Sequence, residues 1–313
     1  MPAAARAAVF APAPVLTVTI EARGDESEIH FHAGGQGFWQ ARMIAALGVR
    51  VTLCGSFGGE SGFLVRQMMG QEGVDVHSVE VASDNPAYVH DRRGGSREPV
   101  AETRPLPLSR HEVDELYGSM LVEGLDADVC VLGGTTKAGA AVDADTYRRL
   151  ASDLAANGRT VVADLSGEYL EAVVEAGVTV IKVSDEELVA GGRAKSDDLV
   201  DVLAAIDDLC HGARLVVVSR AGEPAVATVD GGVVEIVGPR LQPFDHRGAG
   251  DSMTAGIAAS LARGSDPATA LRVGTAAGAL NVTRRGLATG ERDDILRMAE
   301  HVELRTVRKV RGR

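Results

Sequence analysis

Apolar and polar positions follow two different periods along most of the chain. Short runs that are mostly apolar predict buried strands, because a strand covered on both faces has no polar side. Such runs occupy residues 49–55, 129–132, 160–164, 179–183 and 215–219. Segments with apolar residues at every third or fourth position predict the helices 37–47, 61–72, 109–122, 143–157, 169–176 and 199–210. Strands that alternate with helices are typical of a mostly parallel sheet with helices on both faces.

Two segments depart from this alternation. Residues 9–20 predict a first strand, and residues 28–32 predict a short, more exposed one. Between residues 76 and 104, strand-like pieces are separated by an Asp-Asn-Pro turn and an Arg-Arg-Gly-Gly turn. The sequence therefore predicts one α/β domain with a small β-structure beside it.

The composition agrees with an α/β layered protein. Of 313 residues, 45% are apolar, 4% are aromatic and 37 are glycines, so the core is built from small aliphatic side chains. A net charge of −12 disfavours general binding of nucleic acid, whose phosphates would be repelled. The basic segment 305–313 predicts a frayed, solvated terminus.

Cysteines and the N-terminal segment bear on the compartment. Cys54, Cys130 and Cys210 form no Cys-x-x-Cys pair and are odd in number, which argues against a disulfide framework. The Ala-rich N-terminal segment is interrupted by two prolines and predicts no signal peptide, and no segment predicts a membrane span. We therefore expect a cytoplasmic location and no membrane partner.

The sharpest chemical feature is the segment Gly248-Ala249-Gly250-Asp251, which opens a helix of small residues. Backbone N–H groups at such a helix start can face an anion, and the helix dipole adds to the attraction. An anion cradle beside a carboxylate is what phosphoryl transfer requires. The alternative, equally favoured by the spacing alone, is a glycine-rich loop in which Asp251 only caps the helix.

A second glycine-rich turn, Gly34-Gly35-Gln36-Gly37, also opens a predicted helix and permits close approach of a ligand. Trp39 follows it and is either a core residue or a stacking platform. The chain contains neither GxxxxGK[ST] nor GxGxxG. His30 and His32 have no third ligand at metal spacing, which favours a surface strand over a metal site.

Together these features resemble the ribokinase/phosphofructokinase-B carbohydrate kinases over nearly the whole chain. Residues 248–251 match the family's late GAGD motif, which is the specific one. Residues 34–37 are similar to its GGKG motif, 182–187 to its KPNxxE segment and 218–223 to its nucleotide-binding turn. Residues 251–256 and 281–286 are most similar to the 1-phosphofructokinase and tagatose-6-phosphate kinase branch. The resemblance implies a three-layer α/β/α domain over residues 1–313, with a β-lid formed by about 21–33 and 76–104.

The resemblance also implies roles for individual residues. Asp251 would be the base, in an anion hole formed by the N–H groups of the 248–251 turn, with Arg247 as a fixed positive charge beside it. Glu187 would order Mg²⁺ through water, and Asp245 would be either a ligand of a monovalent cation or the partner of Arg247. The nucleotide-binding residues would be Lys182, Ser184, Ser219, Arg220, Gly222 and Thr275. The substrate-binding residues would be Thr17, Gly34, Gly35, Gln36, Trp39, Arg92 and Arg104.

Several positions differ from the family pattern, mostly on the acceptor side. Thr17 stands where the family has an Asp that binds sugar hydroxyls, Gln36 replaces the Lys of GGKG, and Trp39 replaces an Asn. On the nucleotide side, Ser184 replaces an Asn and Ala221 a Gly. The resemblance therefore implies ATP-dependent phosphorylation of a sugar or sugar phosphate with an altered acceptor site. A nucleoside acceptor and a non-catalytic metabolite-binding protein are the alternatives, and a homodimer through the lid is expected.

Overall fold

A computed structural model describes residues 4–134, 141–242, 244, 246–284 and 286–309. The strands are β1 Arg6–Phe10, β2 Val15–Arg23, β3 Glu26–Gly34, β4 Arg50–Phe57, β5 Asp75–Glu80, β6 Ala87–Asp91, β7 Glu98–Glu102, β8 Val129–Leu132, β9 Thr160–Asp164, β10 Val178–Ser184, β11 Ala213–Ser219, β12 Ala225–Val229, β13 Gly232–Val237 and β14 Glu303–Lys309. The helices are α1 Gln36–Ala46, α2 Gly59–Gln71, α3 Arg110–Leu125, α4 Ala144–Ala156, α5 Gly167–Ala176, α6 Asp185–Ala190, α7 Leu199–Leu209, α8 Ala249–Ala262, α9 Pro267–Asn281 and α10 Arg292–Ala299.

A ten-stranded sheet forms the centre of the molecule, in the order β14-β13-β12-β11-β10-β9-β8-β1-β4-β5. The seven strands from β11 to β5 are all parallel, whereas β12, β13 and β14 are antiparallel. One face packs against α1, α2, α8, α9 and α10, and the other against α3, α4, α5, α6 and α7. The predicted three-layer α/β/α arrangement is confirmed.

A second, four-stranded sheet has the order β3-β2-β6-β7 and is called the small sheet below. The prediction of one strand over residues 9–20 is wrong, because Pro12 and Pro14 lack the N–H groups that a ladder needs. The chain leaves the large sheet after β1 and enters the small sheet with β2.

The predicted extent of the small β-structure also needs correction. Residues 76–80 were expected in it, but they belong to β5, which pairs with β4 at the edge of the large sheet. Val79 is buried there against the helical layer. The small sheet instead includes residues 15–20 of β2, which connect it directly to β1.

The basic C-terminal segment is ordered as far as the structure describes it. Residues 303–309 form β14, which pairs antiparallel with β13, and Arg308 forms an ion pair with Asp207 of α7. The prediction of a frayed terminus is therefore wrong over residues 305–309. Within the described ranges, no helix is long and apolar enough to cross a membrane.

Candidate functional site

The turn before α8 is held in an unusual backbone conformation. Gly248 caps the helix with φ +70°, a left-handed conformation that favours glycine. Asn281, at the end of α9, donates from Nδ2 to the Arg247 carbonyl at 2.6 Å and accepts from the Ala288 N–H at 2.7 Å. Asn281 is buried, so this side chain fixes where α8 begins. The first N–H groups of α8 consequently point out of the helix, where an anion can accept from them.

Asp251 lies in the first turn of α8. Burial, with the nearby Asp164 carboxylate as the next cause, raises its pKa from 3.8 to about 7, and Glu187 adds to the rise. The Lys182 ammonium and a hydrogen bond from Gln36 act in the opposite direction. A carboxyl group with a pKa near neutrality is suited to accept a proton at physiological pH.

A buried ion pair lies directly behind this turn. Lys182 Nζ, on β10, donates to Asp164 Oδ1 at 3.2 Å, and both side chains are less than 10% exposed. Asp164 Oδ2 also accepts from Gln40 Nε2 at 2.8 Å and from the Thr254 hydroxyl at 2.7 Å. Burial alone would lower the pKa of Lys182, but Asp164, Glu187 and Asp251 together raise it, so the side chain stays a cation.

Gln36 connects the second glycine-rich turn to the same place. Its Nε2 donates to the Asp164 carbonyl at 3.2 Å, and its Oε1 accepts from the Gly134 N–H at 2.8 Å. The same amide forms the hydrogen bond with Asp251. The neutral Gln36 thus orients the Asp251 carboxyl without adding a charge.

Four of the expected nucleotide-binding residues lie at the carboxyl ends of two adjacent strands. Ser184 ends β10 and is the register partner of Ser219, which ends β11. Lys182 lies two residues before Ser184, and Arg220, one residue after Ser219, forms an ion pair with Asp185 at 3.8 Å. In open α/β sheets this edge is where ligands bind.

Glu187 is held by the start of α6. Its Oε2 accepts from the Ser184 N–H at 2.9 Å and from the Ser184 hydroxyl at 2.8 Å, while Ser184 Oγ caps the helix. Within the described ranges, no three His, Cys, Asp or Glu side chains are arranged to hold a metal ion.

Two further nucleotide-binding candidates are placed differently. Thr275 lies on α9 against Gly238, and its buried hydroxyl has no hydrogen-bond partner in the described part of the chain. Such a group is unfavourable unless a ligand or water satisfies it. Gly222 lies in an exposed turn after β11 with open space around it.

The expected acceptor residues gather where β2 and β3 meet α1. A Cβ added to Gly34 would lie 2.8 Å from Thr17 Oγ1 and 3.6 Å from Trp39 Cζ2, so these three residues are neighbours. Gly35 caps α1 with φ +98°. Trp39 is partly buried and packs against the core while keeping part of its surface exposed.

A basic cluster joins the small sheet to the turn before α8. The pKa of His90, on β6, is lowered by burial and then by the nearby Arg247 and Arg92. Burial and Arg92 also lower the pKa of Arg247. Arg104 is exposed beyond β7. Asp245 lies outside the described residues.

Sequence reasoning missed four buried side chains that build this site: Asp164, Gln40, Thr254 and Asn281. Asp164 had one available signal, because it is a charged residue at the carboxyl end of an otherwise apolar strand. Gln40 and Thr254 lie inside predicted helices in which nothing marks their positions, and Asn281 ends α9, a helix that the sequence pattern did not predict.

Known proteins match this chain over most of its length. A model of the pfkB family carbohydrate kinases matches residues 15–294. The chain is 28% identical over 280 residues to a 1-phosphofructokinase of Haloferax volcanii, covering 89% of this chain and 88% of that one. It is similar in structure to the phosphofructokinase-2 of Escherichia coli in complex with potassium, at a TM-score of 0.81 and 25% identity over 95% of this chain and 98% of that one. An Arabidopsis thaliana ribokinase complexed with ribose and ATP gives a TM-score of 0.70 at 19% identity, over 95% of this chain and 99% of that one. The chain therefore belongs to the pfkB family of carbohydrate kinases.

Proposed function

We propose that this kinase transfers the γ-phosphoryl group of ATP to a hydroxyl of a phosphorylated sugar. The observation that carries the proposal is Asp251, with its pKa raised to about 7, in the first turn of a helix whose N-terminal N–H groups face outward. Asp251 accepts the proton of the attacking hydroxyl. The N–H groups of Ala249, Gly250 and Asp251 bind the charge that develops on the transferred group.

The nucleotide lies along the carboxyl ends of β10 and β11. Ser184 and Ser219 lie at these strand ends, and the Thr275 hydroxyl, which has no hydrogen-bond partner in the described part of the chain, supports a polar ligand beside α9. Glu187, fixed by Ser184, would order through water the Mg²⁺ that accompanies the ATP phosphates, and the ion would offset part of their negative charge. Arg247 supplies a permanent positive charge beside the turn, which makes a monovalent cation unnecessary.

A phosphate on the acceptor is supported by the basic cluster of His90, Arg92 and Arg247. Two guanidinium groups and an imidazole at one place suit a doubly charged group better than a neutral sugar. The similarity to a 1-phosphofructokinase points to the same class of acceptor. A nucleoside acceptor would instead rely on stacking against the exposed part of Trp39.

The direct test is coupled ADP release with Mg-ATP against sugars, phosphorylated sugars and nucleosides. We expect turnover with one or more phosphorylated sugars and little with nucleosides. Turnover with nucleosides alone would show that the acceptor is a nucleoside and not a phosphorylated sugar. Turnover with none of the three classes would favour a metabolite-binding protein.

Arg92→Gln should raise the KM for the phosphorylated sugar by about 10- to 100-fold. A hydrogen bond to a charged group contributes about 1.5–3 kcal/mol, which corresponds to that ratio. The matched control is Arg93→Gln in the same turn, since Arg93 is exposed and paired with Asp91. Equal KM values in the two variants would contradict a role for Arg92 in binding the acceptor.

We also propose that two copies of the chain associate through the outer face of the small sheet. Ile29 and Phe31 on β3 are 57% and 56% exposed, and their cross-strand partners are Ile20 and Val18. Val18 packs against the core, whereas Ile20, Ile29 and Phe31 extend the apolar face beyond it and favour burial against an equivalent face.

Phe31→Asp should convert the dimer to a monomer, because it places a charge in the apolar contact. Light scattering after size-exclusion chromatography measures the mass directly. Val200→Asp is the control, since Val200 is 77% exposed on α7, which packs on the large sheet. A wild-type chain that is monomeric at every concentration tested would rule out this assembly.

A further inference from the structure

We infer that Asp164 is a positioning residue for phosphoryl transfer: its carboxylate holds the Lys182 ammonium behind the Gly248–Asp251 turn and keeps it from pairing with Asp251. The inference rests on the proposed function, since it assigns a role within the same reaction. Asp164 is 2% exposed, so it acts through its neighbours, by holding Lys182 and by its own negative charge near Asp251.

The Asp164 carboxylate is fixed from three directions. Its donors come from α1, β10 and α8, namely Gln40, Lys182 and Thr254, at 2.7 to 3.2 Å. Gln40 and Thr254 are fully buried, and Asp164 is 2% exposed. A buried carboxylate with this many donors cannot rotate toward another partner without leaving several polar groups unsatisfied.

The Lys182 ammonium is equally constrained on its other side. A Cβ added to Gly250 would lie 2.6 Å from Nζ, so the ammonium sits against the backbone of the turn. Thr254 reinforces this arrangement, because its hydroxyl also lies 3.0 Å from the Gly250 carbonyl. The ion pair thus supports the segment that presents the N–H groups and the base.

The position of the ammonium matters because three carboxylates surround it. Asp164 at the end of β9, Glu187 on α6 and Asp251 on α8 all attract Lys182, and Gln36 on α1 is the neutral group that faces Asp251. The hydrogen bond of the ammonium goes to Asp164. If that acceptor were neutral, the ammonium would move toward Asp251, pair with it and make it a weaker base.

Asp164→Asn tests this directly, because it keeps the shape of the side chain and removes the charge. We expect kcat to fall by about 10- to 100-fold, since an ammonium paired with Asp251 makes it a weaker base. We also expect the acidic limb of the pH profile to move to lower pH. Loss of one negative neighbour and closer approach of the ammonium both lower the pKa of Asp251.

Gln40→Met is the matched control, since it removes a neutral donor to the same carboxylate and leaves every charge in place. The acidic limb of the pH profile of Gln40→Met should coincide with that of the wild type. An unchanged kcat and pH profile in Asp164→Asn, or the same shift in Gln40→Met, would overturn the inference.

If Asp164→Asn folds poorly, a second variant that combines Asp164→Asn with Lys182→Met removes both charges of the ion pair. Measured at a pH above the acidic limb, that double variant should have the kcat of Lys182→Met alone, because no ammonium is left to pair with Asp251, and a further fall in kcat would overturn the inference.

A measurement without turnover separates this inference from the proposed function. The chain has only four lysines, Lys137, Lys182, Lys195 and Lys309, so the ε-carbon of Lys182 can be followed by NMR. Asp164→Asn should change the titration of Lys182 and leave the other three lysines unchanged. An identical Lys182 titration would refute the positioning role even if the enzyme phosphorylates sugars. A changed titration in a protein that turns over no sugar would leave the ion pair established and the proposed function wrong.

Discussion

Asp251→Asn should lower kcat by about 10²–10⁴-fold, the typical effect of losing a general base. The amide has nearly the same shape but cannot accept the proton of the attacking hydroxyl. Folding should be intact. The raised pKa means that the ionised carboxyl is disfavoured in the folded state at pH values above its ordinary 3.8, and a neutral amide removes that penalty.

The pH dependence of the wild type gives an independent check. The proposed base must be ionised to accept a proton, so kcat should fall as the pH is lowered through the pKa of Asp251, about 7. Asp266→Asn is the control variant, since Asp266 caps α9 through the Thr269 N–H and Asn caps a helix equally well. An Asp251→Asn enzyme with wild-type kcat would show that another group takes the proton.

The glycine motifs were predictable because their chemistry lies in the backbone. Gly248 and Gly35 cap helices at φ +70° and +98°, conformations that other residues rarely adopt, so the sequence shows where these turns lie. The strands β8 and β9 were predicted with their observed bounds, because each is a short apolar run covered on both faces. The capping box of α3, with Ser109 and Glu112, depends only on neighbours three residues apart.

Long-range partners could not be predicted in the same way. Asp164 is joined to Gln40, Lys182 and Thr254 across sequence separations of 124, 18 and 90 residues. No local pattern links them, because only the parallel sheet brings the ends of β9 and β10 beside α1 and α8. The strand β14 was missed for a similar reason, since its basic sequence is ordered by pairing with β13 from a distant part of the chain.

The β12–β13 hairpin was missed although a local signal was present. Its turn contains Asp230 and Gly231, both with positive φ, and Asp-Gly is a strong hairpin signal. This hairpin continues the large sheet past β11 and places Gly238 beside Thr275. The sequence therefore contained more information about the proposed nucleotide site than the motifs alone provide.

Gly256→Ala should destabilise the protein by about 3 kcal/mol, the upper end of what overpacking usually causes. The added Cβ would lie 2.7 Å from Gly274 Cα, 3.0 Å from Gly274 N and 3.0 Å from the Val273 carbonyl. All three atoms belong to the backbone of α9, so no side chain can move aside. The helices α8 and α9 would have to separate.

The separation should also reduce activity, because the two helices build the site together. Gly278 of α9 lies close to the Ala249 carbonyl, and Asn281 of α9 holds the Arg247 carbonyl. Moving α9 therefore disturbs the turn that carries Asp251, although Gly256 is more than one helical turn away from it.

Chemical denaturation of the variant measures the loss of stability, with Gly118→Ala as the control. Gly118 also lies inside a helix, α3, but a Cβ there would meet nothing within 4 Å. Because alanine is the better helix former, the free energy of unfolding of this control should rise by about 0.5–1 kcal/mol. If Gly256→Ala were stabilised to the same extent, helix propensity alone would govern both positions, and the close contact of α8 with α9 would not be what fixes the active-site turn.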